Sequence, residues 1–582
     1  MDRPPNCASY FAAAPKGEGM RYLFNLGAAF VREVPFSLIR RPRFHGWSMA
    51  VFLMAALVLV PLVVVLSSLF SETDAIWQHL AQTMLAGLVW NTLRLVIGVA
   101  AGTALLGISL AWLTAACDFP GRKFFDWALM LPLAIPSYVI AFVSIGLLDF
   151  TGPVQTALRT WLGREDLLFP KIRSAGGVIL VMTLALYPYV YLLARNAFLT
   201  QGRRAMEAAQ SLGHNRWSGF FRVALPMARP WIAGGILLAL METLADFGTV
   251  SIFNYDTFTT AIYKAWFGFF SLSAASQLAS LLVLIVFVMI LMEQGLTSRM
   301  RYTPSEKSGG QSDRVRLAPL SGRLAFAYSF LVLGVAFVIP VAQLVLWAGR
   351  VFNEDFDQRY MAFLSHSFLL GGMAALMTVF CALILVYANR LHNTLTTRVM
   401  VRIATLGYAL PGSVLAVGIF IPLVWLDHQI MVRARGWLGL ETGFILKGTL
   451  LAMVLAYLIR FLAVAQNPLH SAMQRITFNT DEAAHSLGVG GIAMLGKVHL
   501  PLLRGGFLTA MTLVFVDVMK EMPITLMTRP FGWDTLSVRI FEMTSEGEWE
   551  RAALPALVLV MAGFLPIMLL TKHAGHPDPG DR

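Results

Sequence analysis

Two polar stretches of this sequence are copies of one another. EAAQSLGHNRWSGFFRVALP occupies residues 207–226 and EAAHSLGVGGIAMLGKVHLP occupies residues 482–501, an offset of 275 residues. Both copies open with Glu-Ala-Ala, continue with Ser-Leu-Gly and end with Val-x-Leu-Pro at matching positions. A segment repeated at one fixed offset indicates an internal duplication, so both halves of the chain should share one architecture.

The composition indicates a membrane protein. The chain has 582 residues, of which 57% are hydrophobic and 13% charged. The apolar residues form runs of about 20, the length at which an α-helix spans a lipid bilayer. The net charge of +12 is typical of basic cytoplasmic loops, so we expect no nucleic-acid partner. Three cysteines without Cys-x-x-Cys spacing predict neither a disulfide framework nor a zinc site.

The apolar runs predict an all-α, polytopic fold with about twelve membrane-spanning helices, six in each half. The first six lie at about 47–70, 92–115, 126–148, 176–197, 231–252 and 276–294, and the second six at about 322–348, 366–388, 400–426, 446–466, 505–528 and 553–572. We divide the chain into a basic cytoplasmic N-terminal extension (1–46), a first transmembrane domain (47–296), a cytoplasmic linker (297–321), a second transmembrane domain (322–572) and a C-terminal tail (573–582).

The two halves should have the same orientation in the membrane. Pro136 and Pro411 also match at the offset of 275, and a repeat of six spans returns the chain to the same side, which makes the repeats parallel. The loop 195–229 and the linker are rich in arginine, although 149–175 also carries basic residues. The positive-inside rule therefore predicts that both termini, the linker and both repeated segments are cytoplasmic.

Each repeated segment predicts a short helix on the cytoplasmic face, between the fourth and fifth spans of its half. Glu-Ala-Ala favours a helix, and Gly213 or Gly488 then suits a turn that needs a positive φ. One such helix could be an ordinary amphipathic helix at the membrane surface. Two at matching positions favour a paired cytoplasmic partner.

The repeated pattern resembles the signature of importer-type ABC transporter permeases. That signature is Glu-Ala-Ala, three residues, Gly, nine residues, an aliphatic residue (Val223 or Val498), one residue and Leu-Pro. The resemblance implies the type I ABC importer permease fold in a bacterial inner membrane. It also implies that each short helix docks into a cleft on one of two copies of a cytoplasmic ATPase subunit. The implied coupling residues are Glu207, Ala208, Ala209, Gly213, Glu482, Ala483, Ala484 and Gly488.

The chain contains no phosphate-binding loop of the form Gly-x-x-x-x-Gly-Lys-Ser/Thr. We therefore expect a transport subunit rather than an enzyme, with no cofactor of its own. ATP and Mg²⁺ would bind to the partner ATPase.

Four acidic residues within predicted spans are candidates for a translocation path, because ionisable groups in a membrane are costly. Glu242 and Asp246 are four residues apart, as are Asp517 and Glu521 at the offset of 275, and each pair should lie on one helix face. Carboxylates suit hard cations, held only transiently so that the ion can leave. Alternatively, these are packing carboxylates, with Glu521 paired to Lys520 or to an arginine. Histidines 214, 485 and 499 are expected at the surface of the coupling loops.

Two further stretches resemble the ferric-iron permeases, which are fused double-length chains. They are METLADFGTV at 241–250, followed by DTFTTAIY at 256–263, and KEMPIT at 520–525, followed by RPFGWDTL at 529–536. The resemblance implies Fe³⁺ as the transported substrate, delivered by a periplasmic ferric-binding protein.

Other substrates and other classes remain open from the sequence. Thiamine and putrescine are cations that related permeases carry, whereas an anion would favour arginine or helix N-termini. An ion-gradient-driven secondary transporter also fits twelve spans, but the paired coupling pattern argues against it. Membrane-enzyme motifs such as His-Glu-x-x-His and Gly-x-Ser-x-Gly do not occur.

Overall fold

The computed structural model describes residues 46–71, 75–163, 170–202, 211, 213, 215–297, 314–438, 445–446 and 448–574. Of the predicted segments, 1–45, 298–313 of the linker and 575–582 lie outside the described residues.

The described residues of the first half form helices, connecting turns and one two-residue strand. It contains α1 (Gly46–Ser67), α2 (Ala75–Thr83), α3 (Leu85–Ala116), β1 (Cys117–Asp118), α4 (Arg122–Ala128), α5 (Ser137–Leu148), α6 (Pro153–Leu162), α7 (Ala175–Ala197), α8 (Arg216–Gly219), α9 (Leu225–Ala245), α10 (Gly248–Ile252), α11 (Phe258–Tyr263) and α12 (Leu272–Thr297). Short 3₁₀ turns lie at Ser68–Phe70 and Leu131–Ala134, and π-helical turns at Phe198–Gly202, Phe220–Ala224 and Lys264–Gly268.

The second half follows the same order of long and short helices. It contains β2 (Val315–Arg316), α13 (Pro319–Leu333), α14 (Ile339–Asp355), α15 (Gln358–Leu391), α16 (Leu395–Thr405), α17 (Gly412–Leu438), α18 (Leu450–Gln474), α19 (Phe478–Ser486), α20 (Gly491–Met494), α21 (Leu500–Leu502), α22 (Arg504–Lys520), α23 (Pro523–Thr528), α24 (Leu536–Ser545) and α25 (Trp549–Ala574). A 3₁₀ turn lies at Leu406–Ala409, and π-helical turns lie at Gly334–Val338 and Leu495–His499.

The number of spans agrees with the sequence. In the described chain, 11 helices are long and apolar enough to cross a membrane. The pair Gly491–Leu502 and Arg504–Lys520, bent by 76°, brings the number up to 12 if it forms one span. The prediction of an all-α, polytopic fold is confirmed.

Two pairs of predicted continuous spans are broken at equivalent places, and the first pair is 126–148 and 400–426. Residues 126–148 divide between α4, a 3₁₀ turn and α5, and residues 400–426 divide between α16, a 3₁₀ turn and α17. Ile135 and Leu410 are extended at these breaks. Each precedes a proline, Pro136 or Pro411, whose ring disfavours a helical conformation in the residue before it.

The end of the linker is attached to the first half. β2 pairs in parallel with β1, in the register Cys117 to Val315 and Asp118 to Arg316. Helix α13 then begins at Pro319, three residues before the predicted start of the second domain at 322. The strand pair thus anchors the second half to the loop that follows α3.

A buried apolar core joins the two halves. Phe247, which follows α9, packs against Phe541 of α24 with ring centroids 5.5 Å apart. Phe142 of α5 stacks on Trp347 of α14 at 6.4 Å. All four side chains are at most 9% exposed, so this region excludes water between the halves.

Candidate functional site

Each half has a membrane helix that stops partway through its predicted span. Helix α9 ends at Ala245 and α22 ends at Lys520, and the next residues, Asp246 and Glu521, are extended (φ −66°, ψ 129° and φ −71°, ψ 119°). Glu242 and Asp517 lie in the last helical turns. The prediction that each acidic pair lies on one helix face is therefore wrong, because the second member of each pair lies beyond the helix end.

The Asp246 carboxylate caps the short helix α10. It accepts hydrogen bonds from the backbone N–H groups of Thr249 (2.9 Å) and Val250 (3.3 Å), and from the hydroxyls of Thr249 (2.9 Å) and Ser137 (2.6 Å). The first N–H groups of a helix have no partner within the helix, and a side-chain oxygen supplies one. This requirement explains why the chain breaks at Asp246 rather than continuing the α9 helix.

Glu521 performs the same task for α23. Its Oε1 accepts a hydrogen bond from the backbone N–H of Ile524 at 3.1 Å. Its Oε2 lies 3.4 Å from Nε of Arg460, and the carboxylate is 7% exposed. The alternative that Glu521 pairs with an arginine is therefore borne out, and the partner comes from α18.

The main-chain oxygens at the two breaks are bound in equivalent ways. The hydroxyl of Thr259 donates to the carbonyl oxygen of Asp246 at 2.7 Å. The hydroxyl of Ser537 donates to the carbonyl oxygen of Glu521 at 3.0 Å. The internal repeat therefore extends to individual hydrogen bonds.

The four acidic residues meet in one cavity between the halves. Its volume is about 360 Å³, and Glu242, Asp246, Asp517 and Glu521 all line it. Tyr138, Tyr189 and Tyr408 also line it. The structure thus brings together the candidate residues that the sequence placed 275 positions apart.

Within this cavity the two acids of each pair differ in their partners. Glu242 accepts one hydrogen bond, from the hydroxyl of Tyr408 at 3.1 Å. Asp517 is subject to the charges of Lys520, Arg460, Glu242 and Glu521, and no described residue donates a hydrogen bond to it. Because Asp246 and Glu521 are engaged in capping, Glu242 and Asp517 retain most of their acceptor sites.

Sequence reasoning missed the basic residue Arg460, which is 8% exposed and lines the cavity. A signal was present, because this arginine lies in the apolar run Leu-Ile-Arg-Phe-Leu, within the predicted span 446–466. Lys520 also lines the cavity and donates to the carbonyl oxygen of Leu133 at 3.0 Å. The hydroxyl of Tyr138 donates to the carbonyl oxygen of Lys520 at 3.3 Å, so the halves are bonded to each other at this level.

One wall of the cavity is a close contact between the halves. A Cβ on Gly248 would lie 2.5 Å from Cε of Met522 and 2.7 Å from Cβ of Tyr138. Met522 and Tyr138 belong to the buried core that contains Phe247. The cavity is therefore sealed on the side of this core.

The second repeated segment forms the predicted short helix, α19. Glu482 and Ala483 are exposed, whereas Ala484 is buried. The helix ends in a Schellman turn, in which the N–H of Val489 donates to Ala484 at 2.9 Å and that of Gly488 donates to His485 at 2.9 Å. Gly488 has a φ of +77°, which confirms the predicted need for a glycine.

For the first repeated segment, Glu207, Ala208 and Ala209 lie outside the described residues. Gly213 is described, and its φ of +82° confirms the same conformational prediction. The role of either segment in binding an ATPase stays a prediction.

A partly buried ionic cluster connects α19 to the long helix α15. Arg390 of α15 donates to Oδ2 of Asp481 through Nη2 at 2.7 Å and Nε at 3.0 Å. His499 lies on the other side, with Nε2 2.8 Å from Oδ1 of Asp481. His499 is 1% exposed, so its predicted surface position is wrong, because Asp481 offers a partner in the interior. His485 is exposed as predicted, and His214 lies outside the described residues.

The surroundings of Asp481 lower the pKa of its carboxyl. Burial by itself would raise this pKa, but the hydrogen bonds from His499 and Arg390 and the charge of Arg390 outweigh burial. Asp481 is therefore ionised at neutral pH and holds both basic partners.

No group of three or more His, Cys, Asp and Glu side chains is arranged to hold a metal ion in the part of the chain that the structure describes. The acidic cavity is thus a lining of separate carboxylates rather than a compact ligand cage.

Comparison with known proteins shows similarity to membrane transport permeases. A family model described as the inner membrane component of binding-protein-dependent transport systems matches residues 103–302. The Fe(3+)-transport system permease protein FbpB 2 of Haemophilus influenzae is 29% identical over 495 residues, which cover 84% of this chain and 90% of that protein. Residues 103–302 thus match the family of binding-protein-dependent transport permeases, and most of the chain is similar to one such permease.

Other relatives of the permease match shorter regions. The sulfate transport system permease protein CysW of Escherichia coli is 30% identical over 199 residues, 34% of this chain and 66% of CysW. The molybdenum transport system permease protein ModB of Escherichia coli is 31% identical over 147 residues, 25% of this chain and 62% of ModB.

The permease is therefore a multi-pass inner-membrane subunit of an ABC importer. Permeases of this family are generally not enzymes, and in general they work with an ATPase and a periplasmic binding protein. The resemblance found in the repeated Glu-Ala-Ala segments is confirmed.

Proposed function

We propose that this permease carries ferric iron from a periplasmic binding protein to the cytoplasm by alternating access. The observation that carries the proposal is the placement of Glu242 and Asp517. They occupy equivalent positions in the two halves and line one shared cavity, with most of their acceptor sites available. Carboxylate oxygens suit a hard cation, and the similar Haemophilus protein is named as an Fe(3+) permease.

The balance of acidic and basic residues in the cavity favours a cation over an anion as the substrate. Arg460 faces Glu521 at 3.4 Å, and Lys520 donates to the carbonyl oxygen of Leu133 at 3.0 Å. Both positive groups have contacts within the protein, and the four acidic residues of the cavity outnumber them, so the cavity carries an excess of acceptors. Thiamine and putrescine, as cations, are the second candidates on the same ground.

Iron is the substrate of this site and not a resident cofactor. Transport requires binding that is weak enough to release the ion, which agrees with carboxylates spread over a cavity of about 360 Å³. The permease itself would bind no cofactor, and ATP and Mg²⁺ would bind to two copies of a partner ATPase, one for each repeated segment.

Coupling would run through α19 and α15. Exposed Glu482 and Ala483, with Leu487 at 83% exposure, form a surface for an ATPase cleft. The Arg390–Asp481 pair passes a displacement of α19 to α15, which has 34 residues and a length of about 51 Å. Near the other end of α15, the hydroxyl of Ser367 accepts from the backbone N–H of Leu536 at 2.8 Å. One rigid helix would therefore connect the ATPase side of the membrane to the opposite side.

The orientation that fits this mechanism has both termini, the linker and α19 in the cytoplasm. The ferric-binding protein would then dock on the opposite face, which includes the segment after α14.

The proposal is tested by uptake into proteoliposomes. The permease is reconstituted with its ATPase, with ATP inside and iron-loaded binding protein outside, and ⁵⁵Fe accumulation is measured with and without ATP. We expect accumulation that requires ATP and survives an uncoupler.

The other outcomes separate the alternatives. ATP hydrolysis stimulated by the binding protein without iron uptake would exclude iron, and uptake of labelled thiamine, putrescine, sulfate or molybdate would then identify the substrate class. Uptake that an uncoupler abolishes and ATP does not support would indicate a secondary transporter.

A further inference from the structure

Arg460 is one of two positive charges, with Lys520, that line the cavity in the second half and have no counterpart in the first. It lies within the membrane helix α18, is 8% exposed and lines the acidic cavity. At the offset of 275 the equivalent residue of the first half is Ala185, which lines the same cavity. The duplication alone therefore does not account for the charge.

Arg460 is held mainly by charge rather than by a closed set of hydrogen bonds. A guanidinium has five N–H donors. Nη1 donates to the carbonyl oxygen of Leu410 at 3.0 Å, whereas Nε lies 3.4 Å from Glu521 and has no hydrogen-bond partner among the described residues.

A structural arginine elsewhere in the chain is bound differently. Arg195 binds Asp126 through two parallel hydrogen bonds, both 2.6 Å long, which is the strong bidentate form. The looser contacts of Arg460 leave it free to change partners.

The cavity needs a positive charge when it is empty. Arg460 is attracted to Glu521, Glu242 and Asp517, and a carboxylate buried without a partner is costly. Lys520 uses one of its three donors on the carbonyl oxygen of Leu133. Arg460 is the basic group that lies against a carboxylate of the described cavity, 3.4 Å from Glu521.

We propose that Arg460 is a tethered counter-cation that occupies the cavity in place of the substrate and withdraws when a cation arrives. This inference rests on the proposed function, namely a cationic passenger. Its consequence is weak binding: the arriving ion must displace a positive charge, and the returning arginine helps to expel the ion. Rapid release is what a transport site requires.

The first test measures metal affinity without transport. The purified full-length permease in lipid nanodiscs is titrated with Tb³⁺, a luminescent trivalent probe, and Arg460→Met is compared with the wild type. We expect Tb³⁺ to bind at least about tenfold more tightly to Arg460→Met, because a like charge a few ångströms away is removed. Arg460→Lys retains the charge and should stay within about threefold of the wild type.

Two further variants guard against misfolding and against general effects of arginine removal. Arg460→Gln provides a second neutral variant, and size-exclusion chromatography establishes which proteins are monodisperse. Arg173→Met removes an arginine whose ion pair with Asp149 is well exposed and should leave Tb³⁺ affinity unchanged.

Adding Glu521→Gln to Arg460→Met should return the Tb³⁺ affinity towards the wild-type value, because one charge of each sign is then removed.

An unchanged or weaker Tb³⁺ affinity in both neutral variants would overturn the proposal. So would faster iron uptake in Arg460→Met, since tighter binding should slow release while ATP hydrolysis continues. If the wild type carries no iron but the neutral variants still bind Tb³⁺ more tightly, the proposal that iron is the substrate is wrong. The proposal that Arg460 acts as a counter-cation is then retained.

Discussion

Gly412 lies directly against the carboxylate of Glu521, such that a Cβ on Gly412 would be 2.5 Å from Oε1. The equivalent residue of the first half is Ser137, whose hydroxyl donates to Asp246 at 2.6 Å. In the first half, the shorter side chain of Asp246 is matched with Ser137, which donates a hydrogen bond to it. In the second half, the longer side chain of Glu521 is matched with Gly412, which leaves room for its carboxylate. The two halves reach one architecture through exchanges that compensate each other.

The first prediction concerns this exchange. Gly412→Ala should destabilise the permease by about 1–3 kcal/mol, the usual cost of overpacking, and should disturb the cavity by displacing Glu521. Gly372→Ala is the matched control, because a Cβ there meets nothing within 4 Å.

The double variant Gly412→Ser with Glu521→Asp reproduces the first half and should recover the stability that Gly412→Ser loses. Thermal unfolding measures all four, and equal losses in the double and single variants would contradict the compensation.

The second prediction compares the effects of substituting Asp246 and Glu242 on the free energy of unfolding. Asp246→Ala removes the cap of α10 and should lower the stability by about 1–2 kcal/mol. Glu242→Gln retains an oxygen for the hydroxyl of Tyr408 and should change the stability by less than about 0.5 kcal/mol. Unfolding in detergent under identical conditions provides the comparison, and a reversed order would refute the assignment of Asp246 to capping.

The third prediction concerns transport through the cavity. Glu242→Gln and Asp517→Asn should each lower iron uptake at least about tenfold, because each removes a charge that attracts a cation in a region of low dielectric. The binding of the ATPase should be retained. Glu550→Gln, which breaks an exposed ion pair with Arg350, is the control. Wild-type uptake in both cavity variants would remove Glu242 and Asp517 from the path.

The fourth prediction compares two glycines of the second repeated segment, Gly488 in the turn after α19 and Gly496 in the π-helical turn Leu495–His499. Gly488 and Gly496 both have open space for a Cβ, but only Gly488 has a positive φ, +77°. Gly488→Ala should therefore strain the Schellman turn by about 1 kcal/mol and weaken the coupling of ATP hydrolysis to uptake. Gly496→Ala should have no such effect. The number of iron ions taken up per ATP hydrolysed is the quantity to measure, and equal ratios in the two variants would exclude a role for the turn.

The fifth prediction is a pH dependence from Asp481. Its folded pKa is lowered, with burial opposed by the bonds from His499 and Arg390. The stability that it contributes is therefore fully present above its unfolded pKa of about 3.9 and is lost as the pH falls through the folded value. Asp481→Asn should be less stable than the wild type at pH 7, and the difference should shrink below about pH 4. Melting temperatures of both proteins between pH 3 and 7 supply the test, and a constant difference would contradict it.

Several features of the site followed directly from local sequence. The copies at 207–226 and 482–501 predicted the duplication, the short helix α19 and the positive φ of Gly213 and Gly488, because only glycine adopts that conformation without strain. The match of Pro136 with Pro411 located equivalent positions, although the apolar runs around them were wrongly predicted to be continuous helices.

Other features depended on contacts between distant segments. Hydropathy cannot distinguish a continuous span from one that stops at an acid whose carboxylate caps the next short helix, so Asp246 and Glu521 were wrongly predicted to lie within continuous helices. The pairing of Arg460 with Glu521 joins residues 61 positions apart in the chain (460 and 521), and no local pattern specifies it.

By itself, the sequence determined the membrane location, the number of spans, the duplication and the family, because these depend on apolar length and on spacing along the chain. Only the tertiary structure decided which two of the four cavity acids also cap helices, where Arg460 lies, and that His499 is buried against Asp481. The physical reason is that a buried polar group must find a partner, and in this fold the partner comes from another helix whose position the chain fixes only after packing.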